Sequence, residues 1–236
     1  MSDLVVAIDD TDGIEEGATG KLAELIAGEL AGKGRTTGVT RHQLFIHDSI
    51  PYTSHNSAMA FTVSGPSAGE VFGVAARILE ERSVGGSDPG LCIAELSDEK
   101  ARRDLIDFGR RAKVSVLSVE EALLTARRTG VSLTAHGGTG GGVIGALAGA
   151  GLRVSGNDGR FRGWLDVPEG ETEVSDLLRI RGVEGVVPLS GVIGREETVI
   201  VKGRVKTVLL NGRSVLLVCR EDGAWRNLTK EEIKRY

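Results

Sequence analysis

The order of apolar and polar positions divides the 236-residue chain into two parts. Through about residue 165, apolar stretches of strand length alternate with segments whose apolar residues recur at helical spacing. Strands are predicted at 4–8, 58–63, 91–95, 114–117 and 131–135, and helices at 18–33, 68–82, 100–111, 119–128 and 143–150. Interleaved helices and strands indicate a layered, mixed α/β (α+β) domain.

The pattern changes to short strands from about residue 166 onward. Asn211-Gly212 separates two apolar runs and predicts a β-hairpin, and a short charged helix is predicted at 230–235. We therefore predict an α/β domain at 1–165 and a small β-rich region at 166–236.

Composition and charge exclude several classes of protein. The chain is 40 % apolar and 26 % charged, as in soluble globular proteins, and its net charge of −4 does not favour nucleic acid as a partner. Cys92 and Cys219 lie in apolar runs without a Cys-x-x-Cys pair, which argues against a thiolate zinc site. No apolar run reaches the roughly 18 residues of a membrane helix, and the first residues do not resemble a signal peptide. We expect a cytoplasmic protein without membrane contact.

The most informative segment is the acidic turn that directly follows the first predicted strand. It holds three carboxylates within four residues, Asp9, Asp10 and Asp12. Such carboxylates repel one another unless a cation lies among them, and Mg²⁺ takes oxygen ligands that are often shared with phosphates. The alternative is a solvated turn whose aspartates cap the next helix. Both interpretations stay open on this segment alone.

The entry to the first predicted helix ends in Thr19-Gly20-Lys21, as a phosphate-binding P-loop does. Glu15 and Leu22 occupy the positions where that motif needs Gly and Ser or Thr, so a true P-loop is not expected. Small residues at a helix N-terminus still expose amide groups, and Lys21 adds a positive charge that favours an anion. The alternative is a flexible helix entry with an exposed lysine.

A second glycine-rich segment lies between the strand at 131–135 and the helix at 143–150. Such backbone can cradle phosphate oxygens. The predicted contacts are Gly137, Gly138, Thr139, Gly140, Gly141 and Gly142. Gly140, Gly142 and Gly145 also match a dinucleotide fingerprint, for which Asp158 is the available acidic partner. A phosphate loop of another kind, a Rossmann site and a turn packed against a helix remain as alternatives.

Four segments in this order resemble the archaeal tRNA agmatinylcytidine synthetase family over about residues 4–165. They read Ile-Asp-Asp-Thr-Asp at 8–12, Ile-Pro-Tyr at 50–52, Ser-Asp-Pro-Gly-Leu at 87–91 and Gly-Gly-Val-Ile-Gly-Ala-Leu-Ala at 141–148. The resemblance implies a kinase-like domain that binds ATP and Mg²⁺, with a ferredoxin-like domain beside it. It also implies phosphorylation of a cytosine carbonyl oxygen, which agmatine then displaces.

The resemblance implies roles for particular residues of this chain. The metal ligands would be Asp9, Asp10 and Asp12. The nucleotide contacts would be Thr11, Thr19, Gly20 and the loop 137–142. Where the family has Cys-Thr-Thr, with a phosphorylated first threonine, this chain reads Thr19-Gly20-Lys21, so that role is lost or has moved to Thr19. Where the family has Arg-Gly-Asn, this chain reads His55-Asn56-Ser57. The family's nucleic-acid barrel and zinc ribbon are not expected after residue 175.

The leading hypothesis is a Mg²⁺- and ATP-dependent, ligase- or kinase-like enzyme that phosphorylates a carbonyl or hydroxyl oxygen of a small molecule or nucleoside. Its predicted catalytic residues are Asp9, Asp10, Asp12 and Lys21. Its predicted substrate-binding residues are His55, Asn56 and Asp88. One alternative is tRNA cytidine modification with a separate RNA-binding subunit, which predicts a basic surface patch; another is an ATP sensor without turnover. tRNA is a possible but not the favoured partner, and a homodimer is a possible assembly.

Overall fold

The computed structural model describes residues 3–11, 19–50, 56–95 and 98–236. They belong to two compact units, Met1–Ser155 and Gly156–Tyr236. The sequence pattern placed the division near residue 165. Residues 156–165 group with the second unit because their backbone bonds to it: the amide of Phe161 donates to the carbonyl of Thr207 at 3.0 Å. Within the described ranges, no helix combines the length and the apolar character that a membrane span needs.

The first unit alternates strands and helices. In chain order it contains β1 (Leu4–Asp9), α1 (Thr19–Ala31), β2 (Arg35–Thr36), β3 (Thr40–Gln43), β4 (Ser57–Ser64), α2 (Ala68–Arg82), β5 (Gly90–Ala94), α3 (Glu99–Arg111), α4 (Val119–Thr129), β6 (Ser132–Ala135) and α5 (Gly142–Ser155).

The sheet of this unit has the order β6-β5-β1-β4-β3, with β2 beside β4, and its paired strands are antiparallel. The run β1-α1-β3-β4-α2-β5 with strand order β5-β1-β4-β3 is a ferredoxin-like β-α-β-β-α-β motif. The predicted mixed α/β class with a ferredoxin-like part is therefore confirmed. The Rossmann interpretation is wrong, because that fold needs a mostly parallel sheet.

Both faces of this sheet are covered by helices. Side chains of a strand alternate between the two faces. Leu4, Val6 and Ile8 of β1 join a core with α1 and α2, whereas Val5 and Ala7 join a second core with α3, α4 and α5. The alternation continues to Asp9 and directs this residue toward α5.

Local signals explain where several helices begin and end. Ser67 and Glu70 form a reciprocal capping box at the start of α2, and Ser118 and Glu121 form another at the start of α4. Helix α4 ends at Gly130, which adopts the left-handed conformation (φ 73°) that glycine accepts without strain. The predicted helices at 68–82 and 119–128 are confirmed to within one residue.

The structure corrects two predicted elements. Residues 114–117 form no strand; they are the turn between α3 and α4, with Val114 71 % exposed. Apolar and polar residues alternate at 114–117 because Leu117 is buried as an anchor of the turn, and not because the segment pairs with another strand. Helix α5 is longer than the predicted 143–150, since it runs on to Ser155. Its interior glycines have low helix propensity, and tertiary packing decides their conformation.

The second unit is a small β structure. It contains β7 (Arg160–Phe161), β8 (Gly170–Glu173), α6 (Val174–Leu177), β9 (Gly185–Pro188), β10 (Thr198–Val201), β11 (Val208–Leu210), β12 (Arg213–Glu221), β13 (Ala224–Asn227) and a 3₁₀ turn at Glu232–Arg235. The predicted hairpin is confirmed: β11 and β12 are antiparallel, and Asn211 and Gly212 between them have φ of 50° and 72°.

Candidate functional site

One end of the first unit's sheet gathers most of the predicted site segments. In the strand register, Asp9 at the end of β1 lies opposite Gly90 at the start of β5, and Gly90 lies opposite Ala135 at the end of β6. The glycine-rich loop 136–141 follows Ala135 directly, and α5 then begins at Gly142. Topology thus brings together the acidic turn, the segment before β5 and the glycine-rich loop.

The side chain of Asp9 lies against the first turns of α5. A Cβ placed on Gly145 would overlap Oδ2 of Asp9, so a glycine is required where the helix backbone meets this carboxylate. Asp9 is half-buried. The N-terminal end of a helix carries a partial positive charge that stabilises nearby anions. The contact therefore places the Asp9 carboxylate beside the N-terminal turn of α5.

The acidic turn after β1 is held by backbone hydrogen bonds. Asp10 has φ of 52°, a left-handed conformation that Asp tolerates better than most residues. Its carbonyl accepts from the amide of Asp88 at 3.1 Å, and the carbonyl of Thr11 accepts from the amide of Val84 at 3.1 Å. These bonds fix the direction in which the chain leaves β1.

A buried threonine pair connects this turn to α1. The hydroxyl of Thr11 donates to Oγ1 of Thr19 at 3.1 Å, and the Thr11 amide lies 3.4 Å from the same oxygen. Both side chains are buried. Thr19 and Gly20 therefore lie inside the fold at the start of α1, whereas the side chain of Lys21 is exposed.

The carboxylate of Asp88 organises the glycine-rich loop. It accepts hydrogen bonds from the hydroxyl of Thr139, from the Gly140 amide at 2.6 Å and from the Gly141 amide at 2.9 Å. Burial opposes ionisation of Asp88, but the hydrogen bonds from Thr139, Gly141 and Gly140 outweigh it and lower the pKa of this carboxyl. Asp88 was predicted to contact substrate; in this structure its carboxylate holds the loop.

The loop and the start of α5 are packed tightly against the segment before β5. A Cβ on Gly142 would overlap the carbonyl oxygen of Asp88, and one on Gly90 would overlap the carbonyl of Gly142. Gly138 and Gly140 have φ of 58° and 85°, which side chains rarely adopt. The amide-rich N-terminus of α5 is therefore held at the sheet end beside Asp9, in the arrangement by which helices bind anions.

Other predicted residues lie apart from this arrangement or outside the described ranges. Asp12 and His55 fall outside the described residues. Nδ2 of Asn56 donates to the carbonyl of Phe45 at 2.6 Å, so this amide stabilises the connection between β3 and β4. His136 donates its backbone amide to the carbonyl of Pro89 at 2.8 Å, and its Nε2 lies 2.9 Å from the Thr134 hydroxyl.

The donor set at the end of β1 suits a hard divalent cation. Asp9 and Asp10 supply carboxylate oxygens, the ligands that Mg²⁺ prefers, and Gly145 leaves the space that the Asp9 carboxylate fills. Among the residues that the structure describes, no group of three His, Cys, Asp or Glu side chains is close enough to hold a metal ion. The third carboxylate of the predicted set belongs to Asp12, outside those ranges.

Sequence reasoning missed two features of this region. It did not predict that Asp88 and the glycine-rich loop bind each other; the only signal was the turn sequence Ser87-Asp88-Pro89-Gly90 before a buried strand. It also missed Arg41 of β3, whose Nε donates to Oγ of Ser57 at 3.0 Å, close to where β4 begins. An isolated arginine in a strand pattern gives no signal of this contact.

Comparison with known proteins gives relatives for part of the chain. No family model matches. An uncharacterized protein of Methanocaldococcus jannaschii, MJ0921, is 28 % identical over 155 residues, which are 64 % of this chain and 50 % of that protein. The chain therefore spans about half the length of the curated relative that it matches.

Solved structures give a consistent result. A tRNA fluorescent labeling enzyme is 29 % identical with a TM-score of 0.55, over 63 % of this chain and 36 % of that one. Apo TiaS, a tRNAIle2 agmatidine synthetase, is 26 % identical with a TM-score of 0.54, over 69 % of this chain and 37 % of that one. TiaS in complex with tRNAIle2 and ATP is 23 % identical with a TM-score of 0.56, over 76 % and 45 %. The resemblance predicted from the motifs is confirmed: part of this chain is similar to part of TiaS.

Proposed function

We propose that this chain is an ATP-using enzyme related to TiaS, and that it phosphorylates a carbonyl or hydroxyl oxygen of a nucleoside or small molecule. The observation that carries the proposal is the contact of Asp9 with Gly145 at the start of α5, beside the glycine-rich loop that Asp88 holds. Carboxylates beside a helix N-terminus at one sheet end are parts that phosphoryl-transfer sites combine.

Asp9 and Asp10 would hold Mg²⁺ in this proposal, together with Asp12 of the same turn. A bound Mg²⁺ neutralises phosphate charge and lowers the barrier to phosphoryl transfer. The Asp9 carboxylate is already placed against α5, and backbone bonds fix the turn at Asp10 and Thr11. Two of the three proposed ligands therefore lie on backbone whose conformation is fixed by hydrogen bonds.

The triphosphate would lie at the N-terminus of α5, because the Gly140 and Gly141 amides of the glycine-rich loop already donate to Asp88. Asp88 keeps Thr139, Gly140 and Gly141 in one conformation, so its role would be to position the loop. Thr11, Thr19 and Gly20 would shape the opposite wall at the start of α1. The exposed Lys21, on the first turn of that helix, would add positive charge near the transferring phosphoryl group.

The transfer forms one oxygen–phosphorus bond on the acceptor and breaks the bond between the β-γ bridging oxygen and the γ-phosphorus, releasing ADP. With a hydroxyl acceptor the phosphate stays on the product and the hydroxyl proton passes to a base. With a carbonyl acceptor of an amide type, phosphorylation makes the oxygen a leaving group. An amine then forms the carbon–nitrogen bond, and inorganic phosphate departs.

The acceptor itself is the open part of the proposal. His55 and Asn56 are the candidates for positioning it. A cytidine within RNA is a second candidate acceptor, because the chain is similar to a tRNA fluorescent labeling enzyme and to a tRNAIle2 agmatidine synthetase. A sensor that binds ATP without turnover is the remaining alternative, and a binding experiment separates it from the enzyme.

The test measures binding of ATP by calorimetry with and without Mg²⁺, then follows adenine nucleotides by chromatography. We expect Mg²⁺-dependent binding by the full chain and at least a ten-fold loss of affinity in Asp9→Asn/Asp10→Asn. Asp3→Asn is the matched control, since Asp3 is an exposed carboxylate at the other end of the same strand. It should bind as the unchanged chain does.

The outcomes separate the alternatives. ADP that appears only with Asp9 and Asp10 intact supports the proposed phosphoryl transfer, whereas AMP would support an ATP-dependent enzyme that cleaves between the α- and β-phosphates. Saturable binding without products in the presence of nucleoside and RNA acceptors favours the sensor. Equal binding by the double variant and the unchanged chain would contradict the proposed site.

A further inference from the structure

The second unit displays an exposed tryptophan that is flanked by two cations. Trp164 keeps 39 % of its surface accessible. Nζ of Lys206 lies 4.6 Å from the centroid of its ring, and Cζ of Arg204 lies 5.7 Å from it. Both distances are within the range of cation–π attraction. We call these three side chains the Trp164 surface.

The backbone beneath this surface bends at residues 162–163 and 203–204 and is anchored by hydrogen bonds next to these bends. Residues 161–165 and 205–207 run antiparallel, with Phe161 donating to Thr207 and Leu165 donating to Val205, both at 3.0 Å. Val205 is buried in the core of the unit, and Leu165 packs against the same core. Trp164 and Arg204 are exposed and Lys206 is half-buried, so these three side chains lie on the outward side. The surface is thus pre-organised by its neighbours.

A second tryptophan of the same unit provides a comparison. Trp225 is only 5 % exposed, and its indole N–H donates to Glu197 at 3.0 Å. Arg220 lies over its ring at 4.6 Å, and its guanidinium is also 3.9 Å from Glu197. Glu197 thus neutralises this cation–π pair, and the Trp225 ring is not accessible to a ligand. At the Trp164 surface the indole stays more accessible, and no carboxylate of the described residues forms an ion pair with Arg204; Nζ of Lys206 donates a hydrogen bond to the carbonyl of Phe161 at 3.4 Å.

We propose that the Trp164 surface binds a single-stranded nucleic-acid segment, with an unpaired base stacked on the indole and phosphates contacted by Arg204 and Lys206. Positively charged side chains beside an exposed aromatic ring are the combination by which proteins hold single strands. The chain's net charge of −4 does not oppose this, because charges farther than about 8 Å are screened at physiological salt. The inference stands on the second unit alone and does not depend on the ATP site.

Two other occupants would use only part of this surface. An acidic peptide would pair with the cations but has no planar base to stack on the indole. An anionic membrane would attract the cations, but an indole that is only 39 % exposed offers little surface to insert at the membrane interface. The exposed indole between charges favours the nucleic acid, and the other two become outcomes of the experiment.

The experiment measures fluorescence anisotropy of a labelled single-stranded oligouridylate on titration with the full chain at several salt concentrations. We expect Trp164→Ala to weaken binding about ten-fold, or about 1.4 kcal/mol, because the stack of one base on the indole is lost. Arg204→Gln/Lys206→Gln should lower the slope of log affinity against log salt by about 1.4, since each phosphate contact to a single strand contributes about 0.7. Trp164→Phe should retain most of the affinity.

Two control variants test whether a loss of oligouridylate affinity is specific to the Trp164 surface. Val192→Ala removes an exposed apolar side chain of the same unit, and Lys230→Gln removes an exposed cation. Neither should change affinity by more than about two-fold. Because the two tryptophans of the chain are Trp164 and Trp225, bound oligouridylate should quench the fluorescence of the unchanged chain and not that of Trp164→Phe.

Three results would overturn the inference. The first is that the unchanged, folded chain does not bind oligouridylate, and the second is that binding survives both the tryptophan and the double-cation substitutions. The third is that the chain binds phosphatidylserine vesicles or a polyglutamate peptide in place of the oligonucleotide. Loss of ATP binding would not affect the nucleic-acid inference. A negative oligouridylate result can therefore be distinguished from failure of the proposed ATP-dependent function.

Discussion

The carboxylate of Asp88 accepts the amide hydrogen of Gly141 at 2.9 Å, across more than fifty residues of sequence. It also accepts from Gly140 and Thr139. Loop amides that would otherwise need water or a ligand are thus satisfied by a side chain from the segment before β5. The glycine-rich loop has one conformation because this carboxylate is at its centre.

Replacing Asp88 by Asn should loosen that loop. The amide group retains one acceptor oxygen but directs an N–H₂ toward the remaining donors, so at least one hydrogen bond is lost. We expect the free energy of unfolding to fall by about 1–3 kcal/mol and the affinity for Mg²⁺–ATP to fall with it. Urea unfolding and calorimetry measure the two effects.

Asp166→Asn, on an exposed side chain, is the control. Tighter ATP binding by Asp88→Asn would show that Asp88 competes with phosphate for the loop.

Gly145→Ala should displace the Asp9 carboxylate, because the new methyl group overlaps it. Loss of both stability and ATP binding is expected. In Asp9→Ala/Gly145→Ala the overlap with the carboxylate is relieved. The double variant should therefore lose less unfolding free energy than the two single variants together, while its ATP binding stays weak. Gly28→Ala, at an α1 position where an added Cβ meets nothing within 4 Å, should instead stabilise the chain by about 0.5–1 kcal/mol. Additive losses in the double variant would argue against the contact.

The buried hydroxyls of Thr11 and Thr19 should depend on each other. Thr19→Val removes the acceptor of both the Thr11 hydroxyl and the Thr11 amide, and should cost about 1–3 kcal/mol in unfolding free energy. Thr11→Val should cost less, and the double variant less than the sum. Thr62→Val tests an exposed threonine pair, Thr37 and Thr62 at 3.0 Å, and should cost under about 0.5 kcal/mol. Chemical unfolding of the four variants measures this coupling.

The second unit should lose stability in acid through Glu232. Hydrogen bonds from Arg226 at 2.8 and 2.9 Å, and then one from the Thr229 amide, lower the pKa of Glu232 to about 2. Because the pKa is lower in the folded state than the ordinary 4.5, this stabilisation is complete above pH 4.5 and is lost as pH falls toward 2.

Tryptophan fluorescence measures this loss in the second unit, where both tryptophans lie. In Glu232→Gln the stability between pH 5 and pH 2 should decline less steeply than in the unchanged chain. Glu196→Gln, on an exposed side chain, should keep the unchanged profile. Identical profiles for Glu232→Gln and the unchanged chain would contradict the assignment.

Elements whose signals are local follow from the amino-acid sequence alone. The capping boxes at Ser67 and Ser118 and the turn at Asn211-Gly212 fix their own helices and hairpin, because the bonds that make them span only a few residues. The acidic turn and the glycine-rich loop were also visible, since carboxylates and glycines at strand ends are unusual in any context. The resemblance to TiaS followed from the order of four such segments.

Tertiary structure alone decided what those segments contact. The irregular turn at Val114 and the full length of α5 follow from packing, because Gly109 and Gly151 let α3 and α5 approach each other closely in spite of glycine's low helix propensity. Sequence left Asp88 and the loop as separate candidates. Antiparallel pairing of β1, β5 and β6 brings them to one sheet end, where the Asp88 carboxylate meets the loop amides. Hydrogen bonds between residues far apart in the chain depend on strand order and register, which local patterns do not specify.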